Sequence, residues 1–191
     1  MFSTKPTFIW SFKTGDNIVY NLNILAVLYE QYRALSTNQS KQHLLIKPIL
    51  VINVGIAEAL LYDFLHRVKG GVREGVLSLS REVISAIRGK QFDKFEHYIA
   101  QAKKHDLFEA RSTNFYGTMD LLRIKRNRVH IQNSNGYSPI NEKDAFLEKD
   151  KVMSEKVLEK ILSTLNNKYP RGFCSVSEFN LPWDRHFIDS E

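Results

Sequence analysis

The sequence predicts an all-α fold: one antiparallel bundle of five or six helices, with room for one short N-terminal strand. Three observations predict it. Apolar residues recur three and four apart over most of the chain, the spacing of one helix face rather than the alternation of a strand. The 191 residues are 43% hydrophobic and 12% aromatic, so the chain can bury a sizeable core and is not of the disordered class. No internal repeat or low-complexity linker divides it, and a single domain over 1–191 is expected.

The elements follow in order. Phe8, Trp10 and Phe12 alternate with Ile9 and Ser11, which reads as one short strand. After Gly15, Asp16 reads as an N-cap, and Ile18, Leu22, Leu25, Tyr29 and Tyr32 follow at helical spacing until the polar run STNQS. A broader apolar segment runs from Lys41 to Lys69 and closes at Gly70-Gly71. Pro48 either begins its main helix or kinks it. Apolar residues surround this segment on most sides, as in the central helix of a core. Residues 72–88 suit a helix better than a strand at Val76 to Leu79.

A clearer helix follows Gly89, with Phe92, Phe95, Tyr98, Ile99 and Ala102 on one side. The next covers about 113–132 and ends at the turn-forming cluster Asn133-Ser134-Asn135-Gly136. Ser138-Pro139 opens the last helix, in which Met153, Val157, Leu158, Ile161, Leu162 and Leu165 form the buried stripe and alternating Glu and Lys the wet one. It is expected to stop before Pro170. The core spans about 16–167. The tail, 170–191, has no clear period and reads as an irregular flap anchored by Phe173, Phe179, Trp183 and Phe187.

Composition narrows the function classes. A single cysteine, Cys174, excludes an internal disulfide framework and a structural zinc site built from several cysteines. MFSTKPTFIW has no apolar run of the length of a secretory signal, and the apolar stretch 44–65 carries Lys47, Asn53, Glu58 and Asp63, expensive in a bilayer. The expectation is a soluble cytoplasmic protein without a membrane partner. With 27 Lys and Arg against 21 Asp and Glu, the formal charge is +6, a weak pointer to a polyanion.

Where the charge sits says more. Leu121 to His130, LLRIKRNRVH, holds four cationic residues and no acid. On a helix, Arg123, Arg126, Asn127 and His130 stand at i, i+3, i+4 and i+7 and share one face. Lys125 and Arg128 fall in the apolar arc and must snorkel outward or meet a partner. An imidazole can take the proton of a ribose 2'-hydroxyl or return one to a leaving 5'-oxygen. A guanidinium binds a phosphate through two hydrogen bonds and stabilises charge growing on it. This is equipment for metal-independent phosphodiester transesterification.

The same segment resembles the signature of the HEPN superfamily, all-helical domains whose signature is an Arg, often followed by Asn, then four to six intervening residues and a His. The order of helices around it is similar over roughly residues 16–167. In catalytic members, Arg and His of two protomers form a composite site that cuts RNA without a metal. The resemblance therefore implies a homodimeric endoribonuclease with Arg126, Asn127 and His130 as catalytic residues and Arg123, Lys125 and Arg128 on the substrate. It implies no cofactor or metal, and an RNA toxin or defence effector restrained by an antitoxin. Arg126 has the Asn beside it but leaves three intervening residues before His130, fewer than the signature's four to six, whereas Arg123 leaves six without the adjacent Asn, so either arginine can hold the role.

Glu58, a carboxylate in a mostly apolar helix, either faces a cleft or pairs, and a motif arginine is a candidate partner. His43, His66, His97, His105 and His186 form no i, i+4 pair, and no HExxH or Cys-and-His cluster occurs. No Gly-rich phosphate loop is present. The other reading is a non-catalytic helical module that binds RNA or a protein, or only dimerises.

Overall fold

The computed structural model describes residues 2–70, 76–129, 141–172 and 175–186. It is an all-α bundle carrying one two-stranded sheet: β1 Phe2–Thr4, α1 Phe12–Ala34, α2 Gln39–Leu44, α3 Ile46–Lys69, α4 Arg81–Arg88, α5 Phe95–Lys104, α6 Phe115–Asn127, α7 Glu142–Ala145, α8 Glu148–Lys168 and β2 Phe179–Leu181. Six of these helices span eight residues or more.

The chain packs around α3. Its side chains Ile49, Leu50, Leu60, Phe64, Leu65 and Val68 are buried, and it touches α8, α1, α4, α5, α6 and α2. Pro48 sits in its first turn, where the missing N–H leaves no hydrogen bond unmade, and the chain breaks just before it, at Leu45. Proline therefore begins the main helix. The run Gln39–Lys69 is long and apolar enough to cross a membrane, with an 18-residue window of mean hydropathy 2.0, yet half of that window is buried inside the protein. A core helix has the same signature.

Asp63 and Arg67, the buried charged residues of α3, are matched. Asp63 accepts hydrogen bonds from the Trp10 and Ser11 N–H groups, both at 2.8 Å. Arg67, fully buried, donates to the carbonyls of Phe8 at 2.6 Å and Tyr169 at 3.1 Å. These bonds hold the N-terminal segment down, so Phe8 and Ile9 are both buried and the alternating strand expected there does not form. The strand lies earlier, at β1, and pairs antiparallel with β2 in register Phe2↔Leu181 and Thr4↔Phe179. The tail is thus not wholly an irregular flap. Phe179 and Trp183 anchor it as expected; Phe173 and Phe187 lie outside the described residues.

Four further expectations are corrected. The cap of α1 is Ser11, whose hydroxyl accepts from Thr14 N–H, and the helix runs through Gly15 and Asp16. Gly15 lets the tail pack close against this turn, because a Cβ there would lie 2.5 Å from a Val176 methyl. Residues 76–80 form neither strand nor helix, so α4 takes only the second half of 72–88. α6 ends at Asn127, before the turn cluster, which lies outside the described residues with Ser138-Pro139. Finally, the charged face of α8 is only partly wet, with Glu148, Lys149 and Lys156 exposed.

Asp150, Lys151, Glu155 and Glu159 are all buried: Asp150 meets Lys125 of α6, and α1 and the tail cover the other three. Glu155 accepts from the Tyr29 hydroxyl and from Lys151 Nζ at 2.8 Å, and meets His186 Nε2 at 2.6 Å. Glu159 accepts from Trp183 Nε1 at 2.8 Å. Burial first, then the Glu155 charge, pushes the Tyr29 phenol far above its ordinary pKa, so it stays a donor.

Gly15→Ala is expected to destabilise the fold by about 1–3 kcal/mol through overpacking against stiff, β-branched Val176. Urea unfolding would register this as a lower midpoint with an unchanged slope.

Candidate functional site

Helix α6 is seated by its first half. Tyr116, Met119 and Leu122 are buried, and the Tyr116 hydroxyl both donates to Asp106 at 2.9 Å and accepts from the Phe108 N–H at 3.2 Å. With that face committed to the core, the basic residues of the second half are distributed by rotation, about 100° apart.

Arg126 turns towards α3 and α5. Its guanidinium is paired with the Glu58 carboxylate and lies 5.9 Å from the Phe95 ring centre. Its Nε is buried without a hydrogen-bond partner. Both members of the pair stay partly open to solvent, at 25% and 30% of their side-chain surface. Glu58 is thus at once paired and cleft-facing. Arg123, one turn earlier, is bound by Asp120 at 2.8 Å and Glu96 at 3.3 Å. Asn127 is partly exposed, and its amide makes no hydrogen bond among the described residues.

The structure does not bring all the expected residues to this face. Lys125 points the other way, giving its ammonium to the Ala145 carbonyl at 2.6 Å and the Asp150 carboxylate at 2.8 Å. Asp150 is 1% exposed, so Lys125 balances a buried charge and is not a free phosphate ligand. Arg128 is buried as well, at 7% exposed, and caps the end of α6. Lys125 is thus committed to Asp150, and Arg128 is buried at the helix end. His130 lies outside the described residues. Because α6 stops at Asn127, the shared helical face reaches no further than that residue.

Sequence reasoning missed three features of the surroundings. Phe95 and Glu96 of α5 carry the two arginines. A groove of about 530 Å³ between α1 and α3 opens beside Glu58, lined also by Tyr62 and Tyr98. The Tyr98 phenol is pushed above its ordinary pKa by burial and then by the Glu58 charge, so it remains protonated near neutral pH. The i, i+4 spacing of Glu58 and Tyr62 was the signal available for the groove. Among the described residues, no three His, Cys, Asp or Glu side chains are grouped to hold a metal ion.

Compared with family models, curated proteins and solved structures, the chain matches none.

Two stability measurements separate the roles of neighbouring cations. Lys125→Ala leaves the Asp150 carboxylate buried without its cation and is expected to cost about 3 kcal/mol or more in denaturant unfolding. A double-mutant cycle on the half-open Glu58–Arg126 pair is expected to return a coupling of only about 1 kcal/mol.

Proposed function

We propose that the protein is an endoribonuclease of the HEPN type, cutting single-stranded or looped RNA without a metal. The observation that carries this reading is the setting of Arg126. One bond to Glu58 and the Phe95 ring orient its guanidinium, and among the described residues its further N–H donors and the Asn127 amide beside it have no hydrogen-bond partner. An arginine held in this way is prepared to exchange water for a phosphate without a large loss of side-chain entropy.

The reaction follows from these groups. The ribose 2'-oxygen attacks phosphorus in line, the bond from phosphorus to the 5'-oxygen breaks, and a 2',3'-cyclic phosphate forms. His130 takes the 2'-hydroxyl proton or delivers one to the departing 5'-oxygen. Arg126 stabilises the charge on the non-bridging oxygens, and Asn127 orients the phosphate. Arg126 is the better candidate for this role than Arg123, which two carboxylates already neutralise. Glu58 is a positioning residue for Arg126.

One chain offers one such histidine in the motif. A homodimer with two motifs in one cleft supplies both acid and base. A cytoplasmic toxin or defence effector restrained by an antitoxin is the corresponding biological role, by resemblance alone. A non-catalytic RNA-binding or dimerisation module is the second reading, favoured by the acids Glu58, Glu96 and Asp120, which offset both arginines.

The test is incubation of the protein with loop-containing RNA in excess EDTA, read for fragments ending in 2',3'-cyclic phosphate. Wild type is expected to produce them, with losses of about 10²–10⁴-fold for His130→Ala and about 10²–10³-fold for Arg126→Ala. Binding without cleavage, insensitive to His130→Ala, would instead establish the module.

A further inference from the structure

The groove between α1 and α3 begins where the Arg126 site ends, since Glu58 belongs to both. Its floor is Gly55. A glycine inside a 24-residue helix destabilises it relative to alanine, and such a residue ordinarily answers a close approach. Among the described residues nothing makes that approach. A Cβ added at Gly55 would meet no atom within 4 Å.

The walls indicate what would come so near. Tyr62 is 42% exposed, and its ring is braced by the His66 ring at 4.2 Å and by the Tyr98 ring, edge-on, at 6.0 Å. Across from it, on α1, Asn21 is oriented by donating to the Asn17 carbonyl at 2.9 Å, which leaves its amide oxygen as an acceptor. The Asn17 amide makes no hydrogen bond among the described residues. Among the described residues no lysine or arginine lines the groove, and the Glu58 carboxylate does. A phosphate is therefore disfavoured in it. A flat, uncharged ring with amino hydrogens at its edge is favoured.

We propose that this groove is a nucleobase subsite that takes one unstacked, amino-bearing base of RNA against Tyr62 and the Gly55 backbone. The phosphate next to that base then falls to Arg126, on the far side of Glu58. Adenine, cytosine and guanine carry the amino donor that Glu58 and the asparagine oxygens accept, whereas uracil presents two carbonyl oxygens and one imide N–H. An aromatic platform takes bases only from single strands or loops. The inference rests on the reading of the site as directed at RNA, and adds to it where base preference arises.

The experiment measures binding of labelled 2'-O-methyl hexamers of adenosine, cytidine and uridine, which lack the attacking hydroxyl, by fluorescence anisotropy. Wild type, Gly55→Leu, Tyr62→Ala and Tyr62→Phe are compared, with melting temperature and sedimentation recorded for each. Wild type is expected to bind the adenosine or cytidine hexamer at least tenfold tighter than the uridine one. Gly55→Leu, which fills open space and is expected to melt no lower than wild type, removes that preference, as does Tyr62→Ala. Tyr62→Phe keeps it.

Equal affinities for all three hexamers in wild type, or a preference unchanged by Gly55→Leu, would overturn the subsite. So would a Gly55→Leu variant that turns a dimer into a monomer at unchanged RNA affinity, which would make the groove the seat of a second copy's helix. A wild type that cleaves RNA in EDTA while failing these tests loses the subsite alone. A wild type that neither binds nor cleaves RNA loses the reading of the site as well.

Discussion

Everything in this fold depends on α3 being buried on most of its sides while carrying polar side chains that must find partners inside. An unmatched buried polar group costs on the order of 1–3 kcal/mol, more if charged. Each polar residue of α3 is therefore a point at which another part of the chain is fixed. Asn53 bonds Ser154 of α8 at 3.0 Å. Asp63 and Arg67, one turn apart, grip the segment before α1 and the end of α8. Glu58 takes Arg126 of α6. The central helix acts as a row of clamps.

The candidate site follows from two of those clamps acting on α6 together. Lys125 is drawn to Asp150 on α8 and Arg126 to Glu58 on α3. Adjacent residues on a helix point about 100° apart, so satisfying both ion pairs fixes the rotation of α6. The same rotation turns Arg123 towards Glu96 of α5 and leaves Asn127 in the open. A guanidinium between a half-open carboxylate and an aromatic ring is oriented but not consumed. The buried Lys125–Asp150 pair, in contrast, has nothing left to give a ligand.

How far this was legible in the sequence depended on whether a residue's partner was near in the chain or signalled by contradiction. Pro48 marked the start of α3 because proline is tolerated only in the first turn. Glu58 and Lys125 stood out as charges in apolar company, which demanded partners, and both have them. The burial of Lys151, Glu155 and Glu159 was not legible. Their alternation along α8 is what a solvated face also shows, and their partners Tyr29, Trp183 and His186 come from α1 and the tail. The β1–β2 pairing joins the two ends of the chain and leaves no local pattern. The end of α6 at Asn127 carries no glycine or proline signal.

The most direct measurement of the central claim is the exchange of charges across the α3–α6 clamp, Glu58→Arg combined with Arg126→Glu, assayed for folding stability and for RNA cleavage in EDTA. If Glu58 serves to hold Arg126 where a phosphate meets it, the exchanged pair restores stability lost in either single variant but not cleavage, because the guanidinium now stands on the wrong helix. Cleavage recovered along with stability would mean that the pair only ties two helices together, and that the phosphate is bound elsewhere.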